Sequence, residues 1–174
     1  MSASQLFHGV ISGPRRRGHD EVADRSERIA SGLQKLGVKQ GDSVAILMRN
    51  DIAFIEAAYA AMRLGAYGVP VNWHFKPEEI NYVLKDSGSS VLIAHADMLH
   101  QLREAIPQGV TALAVPTPPE ILAHYKIDPD HLAMPDFAID FESWLQKFPR
   151  YDGPAVPQPA NMIYTSGTDR KSVV

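Results

Sequence analysis

The 174-residue sequence contains no cysteine, which excludes disulfide staples, thiolate metal sites and a cysteine nucleophile and fits a reducing compartment. It also lacks any apolar run long enough to cross a membrane. The stretch from Met1 to Val10 is mixed and is followed by the charged segment Arg15 to Asp20, so neither a membrane span nor a signal peptide is expected, and the expected location is the cytoplasm. A basic balance is missing too: 17 Lys and Arg stand against 20 Asp and Glu, for a net charge of -3. The one basic run, Arg15-Arg16-Arg17, has no interleaved aromatics and reads as solvated loop charge, which argues against nucleic acid as a partner. No internal repeat is visible.

What is present is globular in character. Apolar residues make up 45% and charged residues 21%, enough for one respectable core. From Asp20, the residues Val22, Ser26, Ile29, Leu33 and Leu36 step by fours and threes, which predicts a helix with one buried stripe, closed by Gly37 as a left-handed cap. Ser43 to Met48 is a short continuous apolar run, as in a strand buried on both faces. Asn50 or Asp51 then stands where it can cap a helix over Ile52 to Leu64. That helix is apolar nearly all round, which places Tyr59 and Met62 in the core.

Ala66 to Asn72 reads as another strand. Pro77, Glu78 and Glu79 at the start and Lys85 near the end outline a helix stopped by Ser87-Gly88, and the helix start alone accounts for the two glutamates. Val91 to Ala94 is a strand, Met98 to Ala105 a helix stopped by Pro107, and Val110 to Val115 a strand. The proline-rich stretch from Pro116 to Ala138 predicts only a short helix near Ile121 to Tyr125. Asp140 precedes an amphipathic segment with Phe141, Trp144, Leu145 and Phe148 at helical spacing. Strands alternating with helices through short turns define an α/β class, a parallel sheet built of βαβ units and covered on both faces.

Arg150 to Ala160 is a connector rich in proline. Asn161 to Tyr164 reads as the start of a strand that runs into Thr165-Ser166-Gly167-Thr168. Backbone N–H groups and short hydroxyls in such a loop can converge on phosphate oxygens, with Gly167 permitting close backbone approach. On these four residues alone, an ordinary polar turn is the better reading.

Context comes from resemblance. Met162 to Thr168 resembles the start of the signature loop of the adenylate-forming superfamily, whose pattern runs Tyr-Thr-Ser-Gly-Thr-Thr-Gly-x-Pro-Lys-Gly. Upstream, Arg25-Ser26-x-Arg28-Ile29-Ala30, Leu36-Gly37-Val38-x-x-Gly41-Asp42-Ser43-Val44-Ala45, Ala61-x-x-Leu64-Gly65-Ala66-Tyr67-Gly68-Val69-Pro70-Val71-Asn72 and Lys76 to Gly88 are similar to the same family in order and spacing. The resemblance is closest to acyl-CoA synthetases and fatty-acid–CoA ligases, and it implies the N-terminal part of a large AMP-binding domain. It implies a two-step reaction: a carboxylate attacks the α-phosphate of ATP to give an acyl-adenylate and pyrophosphate, and the thiol of CoA then displaces AMP. ATP, Mg2+ and CoA are the implied cofactors and a carboxylic acid, fatty or related, the implied substrate. Thr165, Ser166, Gly167 and Thr168 would hold the terminal phosphates. No catalytic or metal-binding residue is carried over.

After Thr168 the pattern fails. The family's Thr, Gly, variable residue, Pro, Lys and Gly are replaced by Asp169-Arg170-Lys171-Ser172-Val173-Val174, and Lys171 is out of register with the loop lysine. Those six residues are what GAT CGG AAG AGC GTC GTG encodes, the string of a common sequencing adapter whose next codon, TAG, is a stop. Residues 1-168 are therefore expected to be an incomplete adenylate-forming domain and 169-174 a non-native tail, with the 174-residue chain itself inactive. Two alternatives stand beside this: another adenylating ligase, such as a peptide-synthetase adenylation domain, and a non-catalytic α/β binding or assembly module. Among other residues, His95 and His100, five apart, do not share a helix face as metal ligands and are expected at the surface or as caps. Trp73-His74-Phe75 follows a strand end, where ligands bind in parallel sheets, but core packing with one solvated histidine is the expected role.

Overall fold

The computed structural model describes residues 7–154, 156–157 and 162–164. Its first element is an antiparallel hairpin of β1 (Gly9–Ser12) and β2 (Arg15–Gly18), which the sequence reading placed in a loop. Helix α1 (His19–Lys35) follows and buries Val22, Ser26, Ile29 and Leu33, the stripe expected from their spacing, before Gly37 turns the chain at φ 93°. Then come β3 (Ser43–Leu47), α2 (Ile52–Arg63), β4 (Tyr67–Pro70), α3 (Pro77–Asp86), β5 (Val91–His95), α4 (Ala96–Leu99), β6 (Thr111–Val115), α5 (Pro119–Tyr125), β7 (Ile139–Asp140) and α6 (Phe141–Leu145). A 3-10 turn at Pro129–Leu132 lies between α5 and β7.

Strands β3 to β7 form one parallel sheet in the order β4-β3-β5-β6-β7. Side chains alternate across it, as the strand period of two demands. Val44, Ile46, Val91, Ile93 and Leu113 point into a core shared with α1, α2 and α6, whereas Ala45, Leu47, Leu92, Ala94 and Ala114 point into a second core with α3 and α4. The expected α/β class with both sheet faces covered is what forms. The step from β3 to β4 runs in one direction along the sheet with α2 on the first face. The steps from β4 to β5 and from β5 to β6 run the other way with α3 and α4 on the second, so all three crossovers have one handedness.

The helix ends follow local chemistry. Asp51, not Asn50, caps α2, its carboxylate accepting from Ile52 N at 2.6 Å. Glu79 accepts from Lys76 N at 2.8 Å at the start of α3, the role a helix start assigns it. Asp140 caps α6 by accepting from Ser143 N at 2.8 Å.

Several expectations are corrected. Tyr59 is 54% exposed and Met62 half-buried, so the all-round apolar reading of α2 overstated its burial: its buried face is carried by Ala53, Ala57, Ala60 and Ala61. The helix expected from Met98 to Ala105 is a single turn at Ala96–Leu99 followed by turns. Met162 to Tyr164 belong to no strand; Tyr164 instead donates from its hydroxyl to Asp86 Oδ2 at 2.6 Å. Burial and the neighbouring Asp86 carboxylate push the Tyr164 phenol up to about 12.

Gly32 lies where α1 meets α6. A Cβ there would sit against Trp144 Cζ2 and 2.9 Å from Phe148 Cδ2. Alanine improves helix propensity by up to about 1 kcal/mol, but overpacking costs about 1–3 kcal/mol, and two aromatic rings packed edge to face have little room to yield. Gly32→Ala is therefore expected to destabilise the chain, measured by urea titration. A stabilised variant would show that α6 shifts freely against α1.

Candidate functional site

Parallel strands deliver their C-terminal ends to one edge of the sheet, and the crevice forms where neighbouring strands send the chain in opposite directions. Here that place is between β3, which leads toward β4, and β5, which leads toward β6. Counted within the sheet the order is 2-1-3-4-5, that of a doubly wound layer. A cleft of about 350 Å³ opens at this position. Arg49 enters it from the end of β3, Asp97 from the end of β5 and Trp73 from the end of β4, over an apolar floor that includes Leu47, Phe75 and Met98.

Arg49 is the central polar group. Its Nη1 donates to Asp97 Oδ2 at 2.9 Å, and its Cζ lies 5.1 Å from the Trp73 ring centroid and 4.8 Å from that of Tyr125. Asp97 in turn accepts from Thr117 Oγ1 at 2.5 Å. The sequence reading did not single out Arg49 or Asp97. The usable signal was there: both stand within three residues of a predicted strand end, close to the position that drew attention to Trp73. Trp73 and Phe75 are half-buried against the second core and His74 is exposed, as expected for that triplet, and Trp73 and Phe75 also line the cleft.

Behind the cleft is a buried polar relay. His95, expected at the surface or as a cap, stands at the N-cap position of α4 without a side-chain cap bond and is wholly buried, because β5 is a central strand and its last residue packs against Asp51 at α2's N-terminus. Its Nδ1 accepts from Arg49 N at 3.4 Å, which leaves Nε2 as the protonated nitrogen that donates to Asp51 Oδ2 at 3.2 Å. Asp51 also takes a charged hydrogen bond from Arg15, which pairs with Glu120 at 2.5 Å. Burial alone would push the Asp51 carboxyl up, but the hydrogen bonds from His95 and Arg15 outweigh it and hold the carboxyl below its ordinary 3.8.

Asp51 therefore stabilises the fold fully above pH 3.8, and that contribution is lost as pH falls through its lower folded value. Asp51→Asn, which can still cap α2, is expected to melt below the parent at neutral pH, with the gap closing as pH falls through and below this range. A gap that stays constant to the acid limit would contradict the ionised pair.

Arg15 and Arg17 are not solvated loop charge. Arg17 pairs at 2.6 Å with Glu56, a fully buried carboxylate of α2 that Arg25 meets at 2.9 Å, and Arg25 also grips Glu142 of α6 at 2.6 and 3.0 Å. This network ties the hairpin, α1, α2 and α6 together. His100, at the end of α4, bonds the Ala133 carbonyl at 2.8 Å near the surface. Among the described residues no group of three or more His, Asp or Glu side chains forms a metal site, and no helix is long and apolar enough to cross a membrane. Thr165, Ser166, Gly167 and Thr168 lie outside the described residues, as do Asn161 and residues 169-174.

A doubly wound layer with a crevice at its switch point is a ligand-binding scaffold, and comparison with known proteins supplies the family. The profile of the AMP-binding enzyme matches residues 7–169, and the chain belongs to that family. Curated relatives include acyl-CoA ligases and a fatty acid–acyl-carrier-protein ligase. Feruloyl-CoA synthase of an Amycolatopsis species is 36% identical over 108 residues, 58% of this chain and 22% of the relative. The long-chain-fatty-acid–CoA ligase FadD13 of Mycobacterium tuberculosis is 43% identical over 68 residues, 39% of this chain and 14% of the relative. The chain thus spans about a fifth or less of these relatives. Among solved structures, a benzoate CoA ligase from Burkholderia xenovorans LB400 shares the fold with a TM-score of 0.70 at 20% identity, over 86% of this chain and 27% of that one.

Proposed function

We propose that the chain is the N-terminal part of an ATP-dependent acyl-CoA synthetase that activates a carboxylic acid, fatty or related, as its adenylate and transfers it to CoA. The observation that carries this is the family match across residues 7–169, which includes Thr165 to Thr168 and ends at Asp169. In this reading those four residues offer backbone N–H groups and hydroxyls to the β- and γ-phosphates, with magnesium offsetting the triphosphate charge. The named relatives act on an aromatic acid and on long-chain fatty acids respectively, so the acid belongs to a range that includes both. The site of action is the cytoplasm.

Residues 1-168 form the incomplete domain and 169-174 a non-native tail, and the chain as it stands is inactive. Amplifying the locus from source DNA with independent primers tests this. A frame that continues past Thr168 with the missing Thr, Gly, Pro, Lys and Gly supports the enzyme. Recovery of the six adapter-like codons before a genomic stop would support a non-catalytic module derived from the same family instead.

A further inference from the structure

Arg49 holds one edge of its guanidinium in reserve. Its Nη1 is committed to Asp97, and both ring neighbours cover its faces. Its Nε is buried and, among the described residues, has no hydrogen-bond partner. The covalent geometry of arginine sets Nε–H and one Nη2–H side by side, on the edge away from Nη1, in the fork that matches two oxygens of a carboxylate or phosphate. Arg63 also has a buried, unpartnered Nε, but it packs on Tyr151 and lines none of the cleft.

A buried donor without an acceptor is costly, and here it belongs to a residue that lines the switch-point cleft of a doubly wound sheet, which has room for a ligand. The rings of Trp73 and Tyr125 and the Asp97 carboxylate already fix the guanidinium, so a ligand need not meet the cost of ordering it. The charge of Asp97 is paired with Arg49 and its other oxygen accepts from the Thr117 hydroxyl, while Asp128, also in the lining, works against an anion.

We propose that the Nε and Nη2 edge of Arg49 is an oxyanion seat, which takes the phosphate or carboxylate group of a ligand whose apolar part lies on Leu47, Phe75 and Met98. The seat is separate in sequence from Thr165 to Thr168 and stands whether or not the ligase reading holds.

The test is ¹⁵N NMR of the arginine Nε–H resonances of the full 174-residue chain, titrated with inorganic phosphate and with benzoate, and with choline chloride at matched ionic strength as control. The Arg49 signal is expected to move downfield and saturate at roughly millimolar anion and to ignore choline. The tighter of the two anions gives the ligand class. Arg49→Lys keeps the charge and removes the fork, and is expected to weaken binding about tenfold or more with unchanged circular dichroism. A wild-type Nε–H that does not respond to either anion would overturn the proposal, as would equal affinity in a folded Arg49→Lys chain. If that variant fails to fold, the wild-type titration decides alone.

Discussion

If the ligase reading proposed above holds, the 174-residue chain is expected to bind Mg-ATP at least a hundredfold more weakly than a protein that continues past Thr168 with the family's loop. In the family pattern the loop goes on through a second glycine to a lysine, whereas this chain continues Asp169-Arg170-Lys171-Ser172-Val173-Val174. The sequence after Thr168 lacks the second glycine and continues with Asp169, a carboxylate whose charge would oppose a triphosphate in the proposed loop. A charge-assisted hydrogen bond is typically worth about 1.5–3 kcal/mol, so losing two of them lowers affinity by roughly a hundredfold to ten-thousandfold. Calorimetric titration of both proteins with Mg-ATP measures the difference. Micromolar binding by the shorter chain would show that Thr165 to Thr168 suffice and that the residues after them matter little.

Glu56→Ala is expected to destabilise the fold by about 3 kcal/mol, the low end of the cost of breaking a buried ion pair, because Arg25 keeps Glu142 and Arg17 keeps Glu21 as partners. Glu56 is fully buried, and the side chains of Arg17 and Arg25 that meet it are only 23% and 15% exposed. Burial pushes the Glu56 carboxyl up from 4.5 despite both arginines, so the pairs do not fully offset desolvation. Glu56 adds little net stability over an apolar residue of its shape, yet its loss takes the buried carboxylate partner from two guanidinium groups, leaving Arg25 with Glu142 and Arg17 with the exposed Glu21. Because its folded value is raised, its own contribution grows as pH falls through that value toward 4.5, opposite in sign to Asp51. Asp24→Ala, which breaks a half-exposed pair with Arg28, is the control and is expected to cost about 0–1 kcal/mol. Equal losses in the two variants, read from urea titrations, would remove the hairpin-to-helix network as a stabilising device.

The parallel sheet was legible because its strands carry their own signal: Ser43 to Leu47 and Val91 to His95 are buried at every position and read as continuous apolar runs. Helix α1 was legible through its stripe. The hairpin was not, since Arg15-Arg16-Arg17 has no alternation of apolar and polar residues. Its burial depends on Asp51, Glu56 and Glu120, which are distant in sequence. His95 was misread for a related reason. Local pattern gives a residue's element, but whether a strand's last residue is covered depends on what packs over that edge. The cleft itself was only half legible: Trp73 could be placed at a strand end, but Arg49 and Asp97 meet only through the β3–β5 pairing. The four phosphate-loop residues came from the resemblance, and their role is a proposal.

The most direct test of the ligase reading is pyrophosphate release by the naturally extended protein, supplied with Mg-ATP and a panel of short, medium and long-chain fatty acids and aromatic acids. The prediction is release that depends on the acid, absent from the 174-residue chain, followed on addition of CoA by AMP and an acyl-CoA thioester. A folded, extended protein that releases no pyrophosphate with any acid would contradict it and favour the non-catalytic module.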